Sequence, residues 1–218
     1  MNSLKSSPNS TMAKLVILGA GGHGRVVLDA CRSADHRVVG FLDASLPAGS
    51  VVNGCSVLGN DTVLDELDPD IAVVVAIGDQ GRRRALALSV LGAGRDLARV
   101  VHAAAWVSDW AQIDAGTVVF ACAIVNANAA IGLFCIVNSG AIVEHDCRLA
   151  DGVHIGPGAQ LGADVQLAEG VFIGAGATVV PGISIGTGAV VGAGAVVTHN
   201  LPPGVTAVGV PARVVKQC

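Results

Sequence analysis

The residues best equipped for chemistry stand at 143–158, "VEHDCRLADGVHIGPG", in a chain with few charges elsewhere. Glu144, His145 and Asp146 are consecutive, and His154 follows nine positions after His145. A histidine beside a carboxylate is the usual pairing for proton transfer. The acid fixes the imidazole tautomer and stabilises its protonated form. Either neighbour, Asp146 or Glu144, can serve His145 in this way. Cys147 adjoins the group and has the type of a nucleophile, but the repeat described below turns it inward as core. A second chemical motif lies near the start. "GAGGHG" at 19–24 follows an apolar run and precedes a helical pattern, as phosphate-cradling loops do. Gly19, Gly21 and Gly24 let a backbone approach a pyrophosphate, and His23 can donate to a phosphate or a sugar. Asp43 ends the following strand, where an acid reaches a ribose hydroxyl. A dinucleotide such as NAD is one reading. A unit of about 90 residues holds only one of the two mononucleotide halves, which favours a simpler nucleotide.

The elements that must position these residues follow two different patterns. Up to residue 100, strand and helix alternate: strands at 14–20, 37–43 and 71–79, helices at 24–34, 61–67 and 80–91, and a closing strand "LARVV" at 97–101. Such alternation predicts a parallel sheet covered on both faces. From Val101 a six-residue step lands on Val, Ile or Leu seventeen times without a slip, ending at Val197. Four residues after each of these sits another small or apolar residue, among them Thr117, Ala123, Cys135, Ala141 and Cys147. Period six is neither a helix nor a plain strand. It predicts a coil with three flat sides, a left-handed parallel β-helix, with one aliphatic and one small residue per side turned inward. Glu144 occupies a slot often filled by Gly, and His145 points outward at a corner. Nine residues are half a coil, so His154 lies across the perimeter from His145; the two do not easily share a site within one chain and could share one across an interface between neighbours. Outward isoleucines such as Ile124, Ile136 and Ile142 leave apolar faces that a symmetric oligomer would cover.

Composition excludes several functions. The 218 residues are 52% hydrophobic but 3% aromatic, with 29 Gly, which suits a core of small stacked side chains. A net charge of −4 gives no basic footprint for nucleic acid. Apolar runs such as 71–77 are too short to span a bilayer. The six Cys form no CxxC pair, which fits a reduced, cytoplasmic protein. The polar stretch 1–13 is expected to be a disordered lead-in, with Met12 an alternative start. The six His lack the short His–His spacing of zinc-dependent hexapeptide enzymes, so no metal is expected.

In combination, "GAGGHG", "FLD", "AIGD", "VNSGAIVEHDC" and "PPGVTAVGVPAR" resemble the sugar O/N-acetyltransferases of the sialic-acid acetyltransferase and bacillosamine-pathway type, to which the enzyme acetylating GDP-perosamine also belongs. The likeness runs from about 14 to 215. It implies a nucleotide-sugar-binding domain at 14–100, an acetyltransferase β-helix at 101–218, a homotrimer, and acetyl-CoA as co-substrate. The acceptor implied is the 4-amine of a UDP- or GDP-linked amino sugar. His145 matches the family's catalytic base, Asp146 the acid after it, and His154 a second family histidine with catalytic and cofactor roles. Ala163 stands where a backbone amide meets the thioester oxygen. Gly174, Ala175, Gly192 and Ala193 leave room for a pantetheine arm. Gly22, His23, Gly24, Asp43, Gly78, Asp79 and Asn138 fall on the substrate side. Ala44 stands where relatives often have a second acid, which leaves the base, uracil or guanine, open. O-acetylation of sialic acid or another sugar, and a non-catalytic nucleotide-binding module, are the alternatives.

Overall fold

The structure is a computed structural model that describes residues 13–217. The expected lead-in at 1–13 therefore lies, but for Ala13, outside the described residues.

The first unit is a five-stranded sheet of order β3-β4-β2-β1-β5, built from β1 (Lys14–Leu18), β2 (Arg37–Leu42), β3 (Val51–Val52), β4 (Cys55–Gly59) and β5 (Ala72–Val75). All neighbours are parallel except the β3–β4 hairpin. Strand β1 is an interior strand between β2 and β5, and four of its five residues are buried. Its side chains alternate between two cores, as a central strand requires. Leu15 and Ile17 pack with Val27, Leu28 and Phe41; Val16 and Leu18 pack with Val73, Ala87 and Val90. Helix α1 (Gly22–Ser33) covers the first core, while α2 (Gln80–Gly92) and a short 3-10 turn (Asp61–Glu66) cover the second.

Two expectations are corrected here. The β3–β4 hairpin was absent from the sequence reading, because a two-residue strand and a five-residue strand carry too little periodicity to stand out. The segment "LARVV" does not close the sheet as one strand. Leu97 bridges Val73, whereas Val100–Val101 pairs with Val118–Val119 and is the first rung of the second unit. The six-residue phase, extended back by one position, wins over continuity with the first sheet.

The second unit is the expected left-handed parallel β-helix. Seventeen two-residue strands run from Val100–Val101 to Val196–Val197, and each pairs in parallel with the strand eighteen residues away. They form three faces. The first contains Ile136–Val137 and His154–Ile155, the second Ile124–Val125 and Ile142–Val143, the third Ala130–Ile131 and Arg148–Leu149. The second residue of each strand turns inward, and from Ile113 to Val197 all fifteen are buried. Thr117, Cys135 and Cys147 fill the small inward slots and are buried. Burial pushes the thiols of Cys135 and Cys147 up, to about 12 and about 11, so both stay protonated core.

The glycines after the inward aliphatic residue are needed for coil stacking. A Cβ on Gly156 would lie 2.7 Å from Ile173 O and 2.8 Å from Ala175 N. The first unit rests on the first face of the prism. Val100, Val118, Phe120 and Ile136 join the core under α1. Ile136 is thus covered within the chain, while Ile124 and Ile142 on the second face stay half-exposed. The chain ends in an antiparallel pair, Val205–Val208 with Arg213–Gln217, which continues the first face.

Candidate active site

The 19–24 loop opens onto a cavity of about 460 Å3 lined by Gly19, Gly21, Gly22, His23, Asp43, Gly78 and Arg82, among others. The glycines divide their work. A Cβ on Gly24 would fall 2.1 Å from Gly19 O, and one on Gly19 would meet Ala76 O at 2.9 Å, so these two permit tight packing. Gly21 and Gly22 meet nothing within 4 Å, and their bareness keeps the cavity open. Gly21 caps α1 without a side-chain hydrogen bond, which leaves the helix N-terminus free for an anion. Asp43 is at the rim. One of its oxygens accepts from Ala20 N (2.7 Å) and the other from Ser45 N (2.8 Å), and the hydroxyl of Ser45 adds a further bond. These bonds hold its carboxyl below the usual carboxylate range, despite some burial. Asp79 does not line the cavity; its carboxylate caps α2 by accepting from Arg82 N (2.8 Å).

His145 lies at the corner between the second and third faces, exposed to solvent. Its Nδ1 is 2.7 Å from Asp146 Oδ2. That bond, with the charges of Asp146, Glu144 and Asp164, raises the imidazole pKa above its ordinary value. Asp146 is lowered in turn, by His145 first and Asn128 next. Glu144 accepts from the backbone N–H of His145 at 3.4 Å and makes no hydrogen bond to the ring. The two acids left open by the sequence are thereby separated: Asp146 holds the imidazole and Glu144 braces the main chain. With Nδ1–H turned to Asp146, Nε2 carries the free lone pair a general base needs.

Ala163 sits one coil above, at the same corner. Its backbone N–H makes no hydrogen bond among the described residues, so it is free to donate to an oxyanion. The four other small residues split into two kinds. Ala175 and Ala193 are exposed. At Gly174 a Cβ would lie 2.5 Å from Ala193 N, and at Gly192 it would meet the Val208 side chain at 2.7 Å. Glycine at 174 and 192 therefore answers to packing between coils.

His154 is on the first face, in the outward column of Val118 and Ile136, just past the part that the first unit covers. It does not approach His145 as a hydrogen-bonding or ionic partner. Its ring packs edge-on against Phe172, with centroids 5.0 Å apart, and Asn138 Nδ2 lies 3.4 Å from its Nε2. Nδ1 is buried without a partner. Burial, with Arg83 and His23 nearby, pushes its pKa down to about 4, so the ring is neutral. His23 behaves alike: burial and Arg83 bring it to about 4, and its Nε2 is buried without a partner.

Arg83 was missed by sequence reasoning. It is 1% exposed and donates to Phe134 O (3.0 Å), Gly78 O (3.0 Å), Ile77 O (3.2 Å) and Gly152 O (2.9 Å). It ties the cavity loop to two coils of the β-helix. The signal was present, since 83, 87 and 90 share the buried stripe of α2. It is one of three consecutive arginines at 82–84, and nothing in its type sets it apart from its neighbours.

A larger hollow of about 670 Å3 runs along the third face, past Gln112, Arg148, Gln166 and Ser184; His145 is not in its wall. Among the described residues no group of three or more His, Cys, Asp or Glu is placed to hold a metal ion, and no helix is long and apolar enough to cross a membrane.

With this geometry in hand, residues 14–90 match the PglD N-terminal domain family and residues 164–199 the bacterial transferase hexapeptide family. PerB from Caulobacter crescentus, whose structure is in complex with CoA and GDP-perosamine, is 38% identical over 94% of this chain and 99% of its own, with a TM-score of 0.89. The chain belongs to the hexapeptide-repeat sugar N-acetyltransferases. The acetyltransferase domain of PglB from Neisseria gonorrhoeae, in complex with acetyl coenzyme A, is 38% identical over 94% of this chain and 100% of its own, with a TM-score of 0.89. WeeI from Acinetobacter baumannii is 30% identical over 94% of this chain and all of its own, with a TM-score of 0.86. Comparison with curated proteins gave no match.

Proposed function

We propose that this N-acetyltransferase moves an acetyl group from acetyl-CoA to the 4-amine of a nucleotide-linked 4-amino-4,6-dideoxy sugar. The observation that carries the mechanism is the His145–Asp146 pair, 2.7 Å apart on an exposed corner, in the same chain as a nucleotide-sized cavity. The choice of donor and acceptor is supported by PerB, whose structure is in complex with CoA and GDP-perosamine. Residues 14–100 hold the nucleotide, and 101–218 carry the chemistry.

The amine nitrogen attacks the thioester carbonyl carbon. His145 Nε2 takes the proton that the nitrogen sheds, while Asp146 holds Nδ1–H and balances the imidazolium. The C–S bond then breaks, and His145 returns the proton to the leaving thiolate. The free N–H of Ala163 donates to the carbonyl oxygen as it gains charge. In the cavity, the α1 N-terminus and Arg82 face the phosphates and Asp43 the ribose. His154, neutral and on another face, belongs to the site of a neighbouring chain in a homotrimer. The enzyme works in the cytoplasm, where acetyl-CoA is available.

The test is thiol release from acetyl-CoA in the presence of UDP- and GDP-linked 4-amino-4,6-dideoxy sugars, with 4-hydroxy counterparts and free sialic acid as competitors. Acceptor-dependent release with an amino sugar nucleotide is expected. Release with a hydroxyl acceptor alone would replace this reading by O-acetylation.

A further inference from the structure

We propose that Asn128 is a positioning residue for this reaction: it fixes the Asp146 carboxylate so that Asp146 can orient His145. The inference rests on His145 acting as the base. It begins with the corners of the β-helix. Every sixth residue from 116 to 194 is in the left-handed conformation, fourteen in all, of which nine are Gly and five are not. The five are Cys122, Asn128, Phe134, Asp146 and Asp164. A side chain there is disfavoured against glycine, with Asn and Asp the best tolerated. Three of the five, Asn128, Asp146 and Asp164, stand eighteen residues apart in one column, the corner that carries His145. Polar side chains are thus concentrated at a single corner of the three.

The contacts show what the lower two accomplish. Asn128 Nδ2 donates to Asp146 Oδ1 at 3.2 Å, and His145 Nδ1 meets Asp146 Oδ2 at 2.7 Å. The carboxylate is gripped at both oxygens, by an amide below and the imidazole beside it. Rotation about its last bond would break both. One grip alone leaves an exposed aspartate free to turn toward water. The amide suits the task because it donates without charge. A carboxylate at 128 would repel Asp146, and glycine would offer nothing.

The fold itself supplies a clean variant. Since Gly occupies most equivalent corners, Asn128→Gly relieves the backbone while it removes the donor, and its melting temperature should be unchanged or higher. The expected result is a kcat about 3- to 10-fold lower, the size of one hydrogen bond, with both KM values within about twofold. Asp146→Gly should cost more, and Asn128→Gly made in that background should cost nothing further, because Asn128 acts only through Asp146. Wild-type kcat in Asn128→Gly, or an equal loss with and without Asp146, would overturn the proposal. His145→Asn in the same assay separates the two ideas. An inactive His145→Asn beside a fully active Asn128→Gly removes only the role of Asn128. An active His145→Asn removes the base, and the positioning role with it.

Discussion

The proton inventory of His145 follows from the atom that faces Asp146. With Nδ1–H committed at 2.7 Å, the ring accepts at Nε2, and only while it is neutral. His145→Asn keeps a small polar side chain but cannot accept a proton; kcat should fall by about 100-fold or more with KM little changed. Steady-state kinetics that show near-wild-type kcat would reject His145 as the base. The pH dependence has a definite sign. The bond to Asp146 raises the His145 pKa, so the base is lost as pH falls through a value above the ordinary histidine one of about 6.5. The acid limb of kcat/KM should therefore lie above that point. Asp146→Asn removes the charge and the strong acceptor, so its limb should move to lower pH as kcat falls. A limb that stays put in Asp146→Asn would show that some other group titrates.

Along the β-helix, each glycine belongs to one of two classes that sequence alone does not separate. Gly174 has no room, because its Cβ would meet Ala193 N at 2.5 Å and Gly192 C at 2.7 Å, both backbone atoms. Gly176 has room but a φ of +64°. Gly174→Ala should lose about 1–3 kcal/mol in chemical unfolding, the usual cost of overpacking. Gly176→Asn should lose under about 1 kcal/mol, since Asn tolerates that conformation. Equal losses would mean that coil stacking is not what requires Gly174. The coil itself was legible because its rule recurs at every sixth residue, from Val101 to Val197, and errors in phase would show. The His145 cluster was legible because it breaks that rule with charge. The β3–β4 hairpin was not, since two residues of strand set no period. Arg83 was not singled out within the helix at 80–91, because its bonds go to carbonyls at 134 and 152 that only the fold brings near. Asn128 was passed over because its partner is eighteen residues on, a distance that has meaning only once the coil length is known.

At the scale of the molecule, the junction between the units is where function and stability meet. Helix α2 is pinned to the coils by Arg83, by Gln80 Nε2 to Val171 O (3.1 Å), and by Arg84 to Glu169 (2.7 Å). His23 and His154 are held neutral there, at about 4. The unfolded chain takes up their protons near 6.5 and the folded one does not, so stability is full above 6.5 and falls as pH drops toward 4. Each histidine contributes a loss on the order of 3 kcal/mol by linkage. Melting temperature measured from pH 7 to pH 4 should drop, and His154→Asn should flatten the drop; an unchanged slope would place the acid sensitivity elsewhere. The same placement bears on assembly. His145 is on a corner between the second and third faces, while His154 is on the first, beside the cavity unit. A site that uses both needs two chains, and the half-exposed Ile124 and Ile142 give the second face something to cover. In the proposed homotrimer, His145→Ala and His154→Ala should each be weak or dead. Co-expressed with different tags and purified as mixed trimers, the two should regain activity. In each mixed trimer one of the three interfaces joins an intact His145 from one chain to an intact His154 from its neighbour, so about a third of the sites are complete. Were both residues to serve one site within a chain, no mixed trimer would ever contain the pair. Mixed trimers that assemble yet stay as inactive as their parents would rule out the shared site.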